Sequence, residues 1–182
     1  MFGRLREMDL AKYERYRRAT LTDAGYAEAL RLVRRHRLIE AFLLEHLGYS
    51  WAEVHEEAER LEHVVSDEFT QRLAEFMDHP AHDPHGAPIP AADGSFEPDD
   101  SRPLEATEAG ERVCISRVNN RDVAILTYLG ERELVPGSLL EVKEVRALDG
   151  VVTVEHEDGT TYSLGQALAG SIFVRRSSSK GE

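Results

Sequence analysis

The chain has a single cysteine, Cys114, which excludes an internal disulfide and fits a reducing cytoplasm. Long apolar runs are also missing: no stretch approaches the roughly 20 apolar residues of a membrane span. The first residues lack the hydrophobic stretch of a signal peptide, so no membrane partner is expected. Positive charge is scarce overall, with 22 Lys and Arg against 34 Asp and Glu for a net charge of −12. That scarcity is uneven. From Met1 to Leu38 ten Lys/Arg stand against five Asp/Glu, a balance of +5, and the remainder holds twelve against twenty-nine, or −17. A basic N-terminal segment on an acidic body offers one face to a polyanion and another to cations.

What remains is an ordinary globular composition, 41% hydrophobic and 31% charged over 182 residues, enough for one good core or two small ones. Met1 to Met8 can form a short helix with Phe2, Leu5 and Met8 on one side. Leu10-Ala-Lys-Tyr-Glu-Arg-Tyr and Arg17-Arg-Ala-Thr-Leu read as two short strands turning over near Tyr16 and Arg17. Thr22 is an N-cap, and a long helical pattern runs from Asp23 to Leu47 and stops at Gly48. Ser50 is placed to cap a second helix through about His63. Ser66 starts a third that carries Leu73, Phe76 and Met77 on its apolar face. From His79 to Pro103 proline, glycine and acidic residues predict an ordered turn followed by a linker. Between Glu111 and Arg176, short alternating strands are separated by turns at Val135-Pro-Gly, Leu148-Asp-Gly and Glu157-Asp-Gly, the pattern of a small β-barrel.

Two of the helices carry the chemistry. The first has His36 and Glu40, four apart and so neighbours on its surface. The second has His55, Glu59, Glu62 and His63, which at about 100° per residue share roughly 100° of one face. Mixed imidazole and carboxylate donors suit manganese, ferrous iron, cobalt or zinc, and six of them can hold two ions. The absence of thiolate among them favours manganese over zinc. Other metal signatures fail. His55-Glu-Glu-Ala-Glu lacks the second histidine of a zinc protease helix, and Glu59 is followed three residues on by Glu62 where a di-iron bundle needs histidine. No nucleophile or general base stands out beyond these ligands, so an enzyme is not expected, with a di-metal hydrolase as the remote alternative.

The ordered series Leu21-Thr-Asp-Ala-Gly, Arg34-Arg-His-Arg-Leu-Ile-Glu-Ala-Phe-Leu and Val54-His-Glu-Glu-Ala-Glu-Arg-Leu-Glu-His-Val-Val-Ser resembles the diphtheria toxin repressor family of iron- and manganese-dependent regulators. Asp83-Pro-His-Gly-Ala-Pro-Ile-Pro resembles the segment closing that family's dimerisation domain. The resemblance implies an α+β chain: a partial winged helix (1–22), a helical metal-binding and dimerisation domain (23–90), a linker (91–108), an SH3-like β-barrel (109–176) and a flexible tail (177–182). It implies that His36, Glu40 and His55 belong to an ancillary metal site, joined by Asp122 from the barrel, and that Glu59, Glu62 and His63 belong to the regulatory site. Iron-responsive members have cysteine where this chain has Glu59, so the resemblance implies Mn²⁺, with Fe²⁺ the alternative. The implied partners are a second copy and a double-stranded DNA operator controlling metal homeostasis genes, with Arg4, Arg6, Lys12, Arg15, Arg17 and Arg18 on phosphates. The chain starts inside what resembles the recognition helix. A metal-binding dimer without DNA activity therefore stands as the alternative expectation.

Overall fold

The computed structural model describes residues 2–12, 18–95, 97–119 and 122–177. The N-terminal part is a short helix, α1 (Phe2–Glu7), followed by a hairpin of two-residue strands, β1 (Ala11–Lys12) and β2 (Thr20–Leu21), paired antiparallel with Ala11 opposite Leu21. The turn expected near Tyr16 and Arg17 lies outside the described residues.

The long helix α2 (Asp23–Leu47) has the bounds its capping residues dictate. The Thr22 hydroxyl accepts from the Gly25 N–H and donates to the Asp9 carbonyl. Gly48, at φ +72°, closes the other end in the left-handed conformation, which glycine adopts without steric cost. A Cβ on Gly25 would sit 1.8 Å from the Leu10 carbonyl oxygen, so only glycine lets the hairpin lie this close to the helix. Helix α3 (Val54–Leu61) begins later than Ser50 suggests. The Glu53 carboxylate takes both the N–H and the hydroxyl of Ser50, making a turn before the helix proper. Helix α4 (Asp67–Phe76) is capped as expected by Ser66, whose hydroxyl accepts from the Phe69 N–H. Leu38, Ile39, Leu43, Val54, Ala58, Leu73, Ala74 and Ile89 form the helical core. Phe76 is not in it; its side chain is largely exposed.

Three arginines on α2 pin neighbouring segments to it. Arg34 donates to the Pro90 carbonyl, Arg37 to that of Pro88, and Arg35 to the Glu62 carbonyl and the Asp67 carboxylate.

The C-terminal part is a six-stranded antiparallel sheet: β3 (Arg102–Pro103), β4 (Arg112–Val118), β5 (Leu139–Arg146), β6 (Val151–His156), β7 (Thr161–Leu164) and β8 (Ile172–Arg176), in the order β3-β8-β4-β5-β6-β7. Two helices, α5 (Val123–Gly130) and α6 (Gln166–Ser171), pack on its core. Among the described residues no ladder joins β3 to β7, so the SH3-like domain is an open sheet and not a closed barrel. The expected linker is also shorter. Residues 102–108 belong to the sheet domain, because Arg102 and Pro103 pair with β8 and Leu104 is fully buried.

Among the described residues the two domains meet at the turn around His85 and at Trp51 and Ala52. The Val118 N–H donates to the His85 carbonyl, Trp51 and Ala52 pack against the sheet core, and a Cβ on Gly86 would come within 2.0 Å of the Ser116 carbonyl. Gly86 also has φ +85°. Gly86→Ala therefore combines backbone strain of about 1–3 kcal/mol with an overlap that forces the turn and the Ser116–Arg117 backbone apart. Gly48→Ala meets nothing within 4 Å and bears the strain alone. Thermal melts should show the larger loss for Gly86→Ala, together with faster proteolysis of the 91–101 segment; equal losses for the two variants would contradict this docking.

Candidate metal centre

His36, in the middle of α2, anchors the site. Its Nδ1 lies 2.7 Å from Glu62 Oε2, and its Nε2 lies 3.0 Å from Glu40 Oε1 and 3.1 Å from His55 Nδ1. His55 Nδ1 is itself 3.1 Å from the same Glu40 oxygen, and the two imidazoles meet edge to face, 4.9 Å between centroids. A carboxylate only accepts, and His36 has one at each ring nitrogen, so the charged ring donates to both Glu62 and Glu40, while the neutral ring keeps one N–H and one lone pair. With the Nε2 proton absent, its lone pair faces a carboxylate oxygen and a second ring nitrogen, a set of three donor atoms that protons bridge in the apo protein and that a divalent ion could bridge in their place. This convergence is what fits a borderline divalent ion to the site, with Glu62 fixing the ring from outside as a metal-bound histidine requires.

Electrostatics agree. Glu40 is 0% exposed. Burial alone would raise its carboxyl, but His36 and His85 against it outweigh that and hold it well below the ordinary carboxylate range. Burial likewise opposes the charged form of His36, yet Glu40 and Glu62 raise its imidazole above the ordinary value of 6.5. His85 is also raised, by Glu40 and Asp83 against its burial. Groups raised on folding stabilise fully below their unfolded value, and that contribution is lost as pH rises through the raised value. The apo protein should therefore lose thermal stability as pH climbs from about 6.5. A metal ion takes the place of the proton, so with manganese the trend should reverse. An apo melting temperature that stays flat from pH 6 to 8.5 would contradict these shifts.

The sequence-expected ligands divide in the structure. His36, Glu40 and His55 form one group whose donor atoms lie within 4.8 Å of one another. Glu62 leans onto His36 and also lies 3.4 Å from His63 Nε2, so it touches both expected sites. Glu59 approaches His55 at 3.7 Å, while its own side chain and that of His63 are mostly exposed. Asp122 joins neither group; its carboxylate caps α5, accepting from the Ala124 and Ile125 N–H groups. Arg4, Arg6, Lys12 and Arg18 are exposed, whereas Arg15 and Arg17 lie outside the described residues.

Sequence reasoning missed Asp83 and His85. Both are buried beside Glu40. The available signal was Asp83-Pro-His-Gly, a turn in which one aspartate oxygen accepts from the N–H groups of His85 and Ala87.

The comparisons with known proteins follow this division of the chain. Residues 22–91 match the iron dependent repressor metal binding and dimerisation domain, and residues 102–176 match the FeoA domain. The iron-dependent repressor IdeR of Mycobacterium bovis is 31% identical over 172 residues, covering 88% of this chain and 74% of the relative. The diphtheria toxin repressor of Corynebacterium jeikeium is 30% identical over 157 residues, 85% of this chain and 60% of the relative. Among solved structures, a manganese-dependent transcriptional repressor in complex with manganese superposes with a TM-score of 0.91 at 39% identity, covering 96% of this chain and 81% of the other. The manganese regulator SloR gives 0.82 at 33% identity, covering 97% and 81%. The class is that of metal-dependent transcriptional repressors, which are not enzymes. Within it, the chain belongs to the iron-dependent repressor family. No helix among the described residues is long and apolar enough to cross a membrane.

Proposed function

We propose that this chain is a manganese-dependent repressor, cytoplasmic and homodimeric, that binds a two-fold symmetric DNA operator, with ferrous iron as the alternative ion. The observation that carries it is the convergence of His36 Nε2, His55 Nδ1 and Glu40 Oε1 on one point. Manganese is favoured because the six expected ligands are imidazoles and carboxylates, with Glu59 in place of a thiol, and because a solved relative carries manganese at 39% identity.

When bound, the ion supplies a cross-link between α2 and α3. The chain's own residues prepare that link. Arg35 holds the α3–α4 turn through the Glu62 carbonyl and Asp67, which keeps the Glu62 carboxylate within reach of His36. Glu59, Glu62 and His63 are the proposed ligands of the regulatory position. Drawing Glu62 toward that position would loosen its hold on His36, so each position senses the other. The exposed Arg4, Arg6, Lys12 and Arg18 lie on α1 and the hairpin, and are proposed to hold phosphates and orient the dimer without reading bases.

Selection from a random duplex pool at 150 mM salt, with and without manganese, tests this reading. A palindromic sequence should be enriched only with manganese, and its affinity should fall steeply with salt as counterion release requires. Equal enrichment in chelator would overturn metal control, and no enrichment in either arm would overturn the operator.

A further inference from the structure

A second group of donors stands on the far oxygen of Glu40. We propose that Glu40, Asp83 and His85 form a further divalent-cation position, sharing Glu40 with the His36–Glu40–His55 position and resting on the metal-binding reading above.

The donor atoms of these three residues lie within 4.8 Å of one another, and all three residues are buried. His85 is decisive. Its ring is 1% exposed, and its Nε2 lies 3.0 Å from the Trp51 carbonyl. A carbonyl only accepts, so Nε2 carries the proton and donates it. Nδ1 is enclosed and has no hydrogen-bond partner; in the neutral ring it offers a lone pair, so a cation could take the place that a proton facing Glu40 otherwise holds. Nδ1 faces Glu40 Oε2 at 3.9 Å, too far for a hydrogen bond. Two ligands each about 2.1 Å from one ion lie roughly 3–4.2 Å apart, which this spacing satisfies.

Asp83 completes the set. Its Oδ1 accepts from two backbone N–H groups, while Oδ2 has a long 3.4 Å contact with Arg37 Nε, which leaves room on that oxygen for a cation. Two carboxylates, one guanidinium and a neutral imidazole sum to a single negative charge, which a divalent ion more than balances. The donors are hard or borderline, as manganese and ferrous iron prefer. Glu40 would then bridge two ions, Oε1 toward His36 and His55 and Oε2 toward His85. Bridged pairs of this kind sit about 3.5–4 Å apart.

The test uses the whole 182-residue chain, manganese titration and electron paramagnetic resonance. Wild type should show a spin-coupled manganese signal. His85→Gln and Asp83→Asn should each bind one equivalent fewer per chain and lose the coupling, while retaining the ion at His36 and His55. Metal-free melts report folding, and Asp83→Asn decides should His85→Gln not fold. Stoichiometry equal to wild type in both variants, or a wild-type spectrum of isolated ions only, would overturn the shared position and leave the His36 position standing. A wild type that binds no manganese at all would overturn both.

Discussion

Replacing His36 and His55 together by alanine should remove one equivalent of bound manganese per chain. Both rings face Glu40 Oε1 at 3.0–3.1 Å, so the double variant strips two of the three donors from one point. At metal concentrations a hundredfold above the dissociation constant, an ion contributes about 2.7 kcal/mol of stability, and that increment should vanish. The apo protein should weaken too. Glu40 is fully enclosed and its charge is held by the two histidines His36 and His85; losing one leaves a buried carboxylate under-compensated, which costs on the order of 3 kcal/mol. Adding Glu40→Gln to the double variant removes that charge and should restore much of the apo stability without restoring the ion. Calorimetric titration reads the stoichiometry, and an unchanged value would contradict the assignment.

The second large effect concerns assembly. Phe69 and Phe76 stand seven residues apart on α4, two turns along one face, and are 48% and 67% exposed. Phe76 extends this apolar face onto α2, against Phe42 and His46 at centroid distances of 6.1 and 5.0 Å. Burying one such ring against a second copy contributes roughly 1.5–3 kcal/mol, and a two-fold axis presents every contact twice. Phe69→Asp with Phe76→Asp should therefore weaken the dimer by at least about a hundredfold and leave the fold of each chain intact. Sedimentation at micromolar concentration should show a dimer for the native chain and a monomer for the variant. A variant that stays dimeric would move the interface elsewhere on the surface.

How far the sequence carries this account depends on how local each signal is. The bounds of α2 were legible because Thr22 and Gly48 act on their own neighbours. Val123–Gly130 escaped notice because Val-Ala-Ile-Leu-Thr-Tyr-Leu is apolar on nearly every side and leaves no 3.6-residue contrast; the only cue was Asp122, read instead as a metal ligand. Arg102–Pro103 was read as linker because its pairing partner on β8 is about 70 residues away, a contact no local pattern carries. In the site, helical spacing put His36 beside Glu40, and His55 with Glu59, Glu62 and His63 on one face, and the structure brings His36, Glu40 and His55 together. What spacing could not give is that Glu62 reaches across to His36, or that the turn at Asp83 and His85 folds onto the back of Glu40. Both depend on how α2 packs against segments that follow it by 20 to 50 residues.

Anomalous scattering at the manganese edge, from crystals grown with the ion, tests the central claim most directly. The account predicts a peak within bonding distance of His36 Nε2, His55 Nδ1 and Glu40 Oε1, in a helical domain otherwise unchanged. Peaks only at exposed carboxylates, with none between His36, His55 and Glu40, would contradict it.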